Sequence, residues 1–340
     1  MPSAARVLLT LLRLGKAAIL RHWQSRLDCI CIARCRCYDR RAKTIFFYNL
    51  NWGHGILLGK SDTHDKGRDA VLRRNCVEVA GSGTRAMIMV HGFGCDQHMW
   101  RFVAPAFLDE FKVIRYDLTG SGRSDLSAYD RDKYATLEGH ATDLLEICAA
   151  LDVSDAVVVG HSVSAVIAVL AANREPARFS SVVMVAPSPS YLNDGDYIGG
   201  FEREDIDELL DFLDANFLGW SNKMAPAIMG TPDNLVLTGE LTESFCRTDP
   251  DISRHFGRVT FLSDHRADVR RLRHPALVLQ CYDDIIAPRS IGTWLDANMP
   301  DCTLVEMQAV GHCPHLSAPQ ETIAAIRTYQ TAVNLARAMQ

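Results

Sequence analysis

An α/β fold with a mostly parallel central sheet flanked by helices is predicted by three observations in the 340-residue chain. First, short apolar runs recur at Ala86-Met87-Ile88-Met89-Val90, Ala156-Val157-Val158-Val159, Ser181-Val182-Val183-Met184-Val185, Ala276 to Cys281 and Thr303 to Met307. Runs of this length without polar alternation are the signature of strands covered on both faces. Second, several of these runs lead into loops rich in Gly, Ser, Asp and His. Third, about ninety residues separate Val185 from Ala276, far more than a simple crossover needs.

In chain order, the Ala86–Val90 strand leads into His91-Gly92-Phe93-Gly94-Cys95-Asp96-Gln97. Its glycines permit a backbone turn that points amides into a cleft; His91 reads as a structural hydrogen-bonding residue, and Cys95 and Asp96 receive no role. Asp117 to Asp125 contains Gly120-Ser121-Gly122. The third glycine of a dinucleotide fingerprint is missing, so the segment reads as a tight turn after a strand. Gly160-His161-Ser162-Val163-Ser164 follows the Ala156–Val159 strand, and Ala165, Val166, Ile167, Val169 and Leu170 supply the apolar side of a following helix. A serine on a sharp strand-to-helix turn projects its hydroxyl into solvent-accessible space and needs small neighbours. The bland alternative is a helix N-cap.

In the long insertion, Ile206, Leu209, Leu210, Leu213 and Phe217 recur at helical spacing. Asp249-Pro250 pairs an N-cap with proline at the first helical position, ahead of Ile252, Phe256, Val259 and Phe261. The insertion is expected to form a helical lid, about residues 190–270, without a core of its own. The Ala276 strand then ends at Tyr282-Asp283-Asp284, and the Thr303 strand leads to Gly311-His312-Cys313-Pro314-His315.

A serine hydroxyl needs a base to take its proton and a carboxylate to orient that base. The chain presents serine, acid and histidine in the order of an α/β-hydrolase. Ser162 is thereby the candidate nucleophile, His312 the candidate base, and Asp283 or Asp284 the acid. The amides of Phe93 and Val163 are the expected oxyanion donors. The His-x-x-His pair of His312 and His315 lacks further ligands at helical spacing, so no metal site is expected.

The motifs His91–Gln97 with Met99-Trp100, Tyr116-Asp117-Leu118, Gly120 to Asp125 and Gly160 to Ala165 resemble those of the α/β-hydrolase family. The resemblance is to the group containing the bacterial sigma-B energy-stress regulator RsbQ and the plant karrikin and strigolactone receptor hydrolases. Gly199-Gly200-Phe201-Glu202, Ser263-Asp264-His265-Arg266, Gln280-Cys281, Asp283 to Pro288 and Gly311 to His315 extend it. It runs from about Val71 to about Tyr329, and several of these segments point to the RsbQ side. It implies an α/β-hydrolase fold with the lid inserted after the sixth strand, and it assigns the acid to Asp284. Ser164 stands where glycine is frequent and matches the plant receptors.

The resemblance also implies a small, mostly apolar pocket under the lid, at positions matching Tyr191, Phe201, Leu209, Trp220, Met224 and Phe261. The expected activity is hydrolysis of a small apolar ester or lactone without a cofactor. The alternative is a ligand-sensing regulator whose partner, a stress-signalling phosphatase, is contacted through the lid.

Composition fits a globular protein with 48% hydrophobic and 23% charged residues. Residues 1–70 carry 13 Lys plus Arg against 5 Asp, leaving 23 against 36 Asp plus Glu for residues 71–340. The acidic globular part excludes nucleic acid as a partner class. Leu8 to Leu20 is interrupted by Arg13 and Lys16 and is too short to span a membrane. Residues 1–70 are therefore expected to be a poorly ordered or non-native extension, with the hydrolase domain at 71–340. Cys29, Cys31, Cys35 and Cys37 do not have zinc-site spacing. Eleven cysteines without a secretory signal suggest reduced thiols and a cytoplasmic location.

Overall fold

The structure is a computed structural model that describes residues 63–339. The Leu8–Leu20 stretch and the Cys29–Cys37 group lie outside the described residues. The first described element is helix α1, Thr63–Arg74, so the boundary expected at residue 70 falls inside a helix. Val71 packs against the main core. Arg74 lies 3.1 Å from the fully buried carboxylate of Asp143 and 2.7 Å from Glu146. Charge patterning around Arg73 and Arg74 hid this helix from periodicity, because its apolar face is only a few residues long.

Seven strands form one sheet: β1 Glu78–Ala80, β2 Ala86–Val90, β3 Lys112–Tyr116, β4 Ala156–His161, β5 Phe179–Val185, β6 Ala276–Gln280 and β7 Cys302–Glu306. Their spatial order is β1-β3-β2-β4-β5-β6-β7. Only β1 is antiparallel to its neighbour, and the other pairs are parallel. The pleat sends alternate residues to opposite faces. Ile88, Val90, Val158, Val182 and Val278 therefore join one core with helices α2, Glu138–Ala150, and α3, Val163–Arg174. Met87, Met89, Val157, Val159, Val183 and Leu277 join the other, against Trp100, Phe107 and the C-terminal helix Pro319–Ala338. Burial on both faces explains why these strands read as continuous apolar runs rather than alternating ones.

The inserted segment is helical, as expected: α4 Arg203–Ala215, α5 Phe217–Met229, α6 Leu235–Arg247 and α7 Pro250–Leu262. It follows the anticipated strand, Phe179–Val185, but this is the fifth strand among the described residues rather than the sixth. Among the described residues one strand, Glu78–Ala80, precedes Ala86–Val90. Asp249 caps α7 by accepting from the amides of Asp251 and Ile252 at 2.9 and 3.0 Å. The apolar series Ile206 to Phe217 divides, because Asn216 leaves helical geometry at φ −151° and caps α5 through the amide of Gly219. The lid helices and the edge of the sheet share a third hydrophobic cluster, which includes Cys95, Phe245, Ile286 and Cys313.

Candidate active site

Ser162 sits between β4 and α3 with φ 55° and ψ −125°. A non-glycine residue at positive φ costs on the order of 1–3 kcal/mol and is kept only where its surroundings over-determine it. Two neighbours supply that constraint. A side chain at Gly160 would overlap the carbonyl of Ser164, so the next-to-last strand position must be glycine for α3 to start where it does. Ser164 is fully buried, and its hydroxyl donates to the carbonyl of His91, tying the first turn of α3 to the end of β2. The serine that replaces the frequent glycine thus has a bonding role of its own.

Asp284 and His312 arrive from the loops after β6 and β7. His312 Nε2 is 2.7 Å from Ser162 Oγ, and His312 Nδ1 is 2.7 Å from Asp284 Oδ2. The other carboxylate oxygen of Asp284 accepts from the amides of Ile286 at 2.8 Å and Ala287 at 3.1 Å. All three side chains are buried. Asp283 is exposed, and its contribution is its carbonyl, which accepts from Gly311 N at 2.7 Å.

Phe93 lies in the turn after β2, and Val163 is the first residue of α3. An amide in the first turn of a helix has no acceptor within that helix, and the positive end of the helix dipole adds to its field. His91 is buried and takes the structural part expected of it: its Nδ1 lies 2.8 Å from the Gly92 carbonyl, and its Nε2 accepts from Leu118 N at 3.0 Å. His161 is also buried, with Nε2 2.8 Å from the carbonyl of His312. Burial, followed by the neighbouring His315 and His312, holds its pKa well below that of a free histidine. It is therefore neutral, and its Nε2–H is the donor. His315 does not join His312 as a ligand pair; its ring lies against Trp100 and His161, at centroid distances of 4.7 and 4.4 Å. Among the described residues no group of three or more His, Cys, Asp or Glu converges on a metal position.

A narrow cavity of about 30 Å³ opens above Ser162 and His312. Of the six positions named for the pocket, Tyr191, Trp220 and Phe261 line this cavity, and so does Phe93, whose ring meets Trp220 edge-on at 6.0 Å. Phe201, Leu209 and Met224 do not. They are buried in the lid cluster, where they fill the space between helices. Helical spacing marks a face as apolar without saying whether it meets a neighbouring helix or a void. The remaining wall includes Cys95, Ile228, Phe245, Thr260, Ile286 and Cys313. Sequence reasoning missed these residues; Cys95 and Cys313 each lay beside a motif residue already singled out, which was the one usable signal. Burial pushes both thiols well above the ordinary cysteine value, so the wall they form is uncharged.

A strained serine on a strand–helix turn, joined to histidine and aspartate across a parallel sheet, defines a protein of the α/β-hydrolase class. Residues 87–326 match the Alpha/beta hydrolase family, and the chain belongs to that family. Karrikin insensitive 2 receptor CA of Petunia hybrida is 36% identical over 248 residues, covering 73% of this chain and 92% of the relative. Strigolactone esterase D14 of Arabidopsis thaliana is 35% identical over 252 residues, covering 74% and 94%. Among solved structures, olei00960, a hydrolase from Oleispira antarctica, is 40% identical with a TM-score of 0.75, covering 77% of this chain and 97% of that one.

Proposed function

We propose that the protein is a serine hydrolase of carboxylic esters, acting on a small apolar ester or lactone through an acyl-enzyme. The observation that carries this reading is the pair of 2.7 Å contacts linking Ser162 Oγ, His312 and Asp284 beneath an apolar cavity. In the first step His312 Nε2 takes the Ser162 proton as Oγ bonds to the substrate carbonyl carbon. The carbonyl π electrons move onto oxygen, where the amides of Phe93 and Val163 receive the charge. Collapse expels the alkoxide, which takes the proton from His312. Water, deprotonated by the same nitrogen, then attacks the acyl carbon and returns Ser162 with a free carboxylic acid. Asp284 holds the Nδ1–H tautomer and stabilises the imidazolium without itself being protonated. The enclosed aromatic wall favours small apolar acyl or lactone groups over polypeptide.

Release of p-nitrophenol from short-chain p-nitrophenyl esters, with intact mass to detect a trapped acyl group, tests this. Ser162→Ala and His312→Ala are expected to fold and to lose at least about 10³-fold in turnover. Wild-type rates in folded Ser162→Ala would remove the assignment.

A second reading is favoured by the names of the relatives, two of which are a receptor and a strigolactone esterase. In it the protein is an RsbQ-like sensor: ligand capture or slow hydrolysis sets the lid, and the output is contact with a signalling partner such as a phosphatase in a sigma-B-type stress response. Many turnovers per second favour the metabolic reading; slow turnover with ligand-dependent protection of the lid favours the sensor. For either reading we propose a cytoplasmic location. Free thiols at Cys76, Cys95, Cys148, Cys281, Cys302 and Cys313 support a reducing compartment.

A further inference from the structure

The base of the triad is held by the lid as well as by the sheet. The His312 N–H donates to the carbonyl of Ile228 at 2.7 Å, and Ile228 belongs to the last turn of α5. A helix leaves its final carbonyls without donors of its own, and here the catalytic loop provides one. Helix α5 stops at this point because Gly230 takes the left-handed conformation, φ 65° and ψ 5°, with its N–H on the carbonyl of Pro226 at 3.1 Å.

Beyond that bond the contact is glycine against glycine. A Cβ on Gly230 would stand 2.6 Å from Gly311 Cα and 2.8 Å from Gly311 N. One on Gly311, itself at φ 79°, would overlap the carbonyl of Met229. The lid and the histidine loop therefore meet backbone to backbone, at a separation that no side chain permits. On the opposite side, Gly311 N donates to Asp283 O at 2.7 Å and His161 Nε2 donates to His312 O at 2.8 Å. The His312 backbone is gripped at its N–H by the lid and at its C=O by the residue preceding the nucleophile. The Ile228 side chain meanwhile lines the cavity, so one residue touches both the ligand space and the base.

We propose that the end of α5, Ile228 to Gly230, is a positioning element for His312, and that the triad is competent only while this end of the lid is docked. This rests on the hydrolase reading of Ser162 and His312. Occupancy of the cavity and contact of a partner with the lid then reach the chemistry by the same route, through the Ile228 carbonyl.

The test is Gly230→Ala. The substitution puts an L side chain at positive φ and drives it into Gly311, so the loop or the lid must shift. A misplacement of about 1 Å at the base is expected to lower kcat by about 10²-fold with KM little changed. Gly239→Ala is the control: it lies in α6 of the same lid, an added Cβ there meets nothing within 4 Å, and kcat should stay at the wild-type value. In the wild-type protein, hydrogen exchange resolved to the His312 amide should follow the last turn of α5 rather than the amides of β4. Wild-type kcat in folded Gly230→Ala overturns the proposal. So does a His312 amide as protected as β4 while the α5 end exchanges, and that measurement decides the matter even where Gly230→Ala fails to fold. Turnover that survives Ser162→Ala would instead defeat the hydrolase reading, a separate result.

Discussion

Acid should unfold this protein earlier than its carboxylates alone would require, because three histidines are buried in the neutral form. Burial is the largest cause in each: it lowers the pKa of His140 to about 4 and of His315 to about 3, and holds His161 well below 6.5. Neither ring nitrogen of His140 or of His315 has a hydrogen-bond partner. His140 lies between Tyr134 and Phe256, at centroid distances of 4.6 and 4.7 Å. In the unfolded chain each ring titrates near the ordinary histidine value, whereas in the native protein it does so only at much lower pH. Between those limits the unfolded state binds more protons, so stability is fully present above about pH 6.5 and is lost as pH falls. One unit below the unfolded pKa, each group removes on the order of 1 kcal/mol, or a few kcal/mol for the three together. That is a large part of the roughly 5–15 kcal/mol by which domains are stable. Urea denaturation followed by tryptophan fluorescence at pH 7.5 and 5.5 measures the difference, and His315→Leu should reduce it by about a third. Equal unfolding free energies at the two pH values would refute the argument that these rings are neutral when folded.

Two further substitutions separate scaffold from pocket. Ser164→Ala removes the donor to the buried carbonyl of His91; it should cost about 1–2 kcal/mol in denaturant unfolding while leaving ester turnover within a few-fold of wild type. Phe245→Ala removes a cavity wall whose ring meets those of Phe93 and Trp220 at 6.3 and 5.3 Å. The kcat/KM ratio of octanoyl to acetyl p-nitrophenyl esters should rise about tenfold, and an unchanged ratio would mean that this wall does not set acyl length.

The elements of the candidate site were legible because each is a local event. An apolar run that ends in Gly160-His161-Ser162 can be read from neighbours in sequence alone, since the crowding that demands Gly160 comes from Ser164, four residues away. The acid and base were legible as loop residues following strands, although choosing Asp284 over Asp283 needed the family resemblance. In the structure it is Asp284, not Asp283, that lies 2.7 Å from His312 Nδ1. Other parts depend on contacts between segments far apart. Cys95 and Asp96 looked idle, yet Cys95 lines the cavity and Asp96 caps the short helix Gln97–Trp100 by accepting from His98 N at 2.8 Å. Helix α1 was missed because its anchor is ionic, Arg74 on Asp143, and an ion pair to a buried partner leaves no periodic trace.

In the lid, local pattern and long-range packing part company within a single helix. Trp220 and Met224 lie one turn apart on α5, both fully buried, yet only Trp220 faces the cavity. Trp220 lines the cavity beside Phe93 and Phe245, whereas Met224 packs within the lid cluster, and the end of the same helix makes backbone contacts with Gly311 and His312. With the end of α5 positioning His312 as proposed, pocket shape and the position of that histidine both depend on this helix. A change in lid packing that alters which ligands fit is then expected to act on His312 as well, whereas a change confined to the helix end, such as Gly230→Ala, is expected to act on kcat with KM little changed.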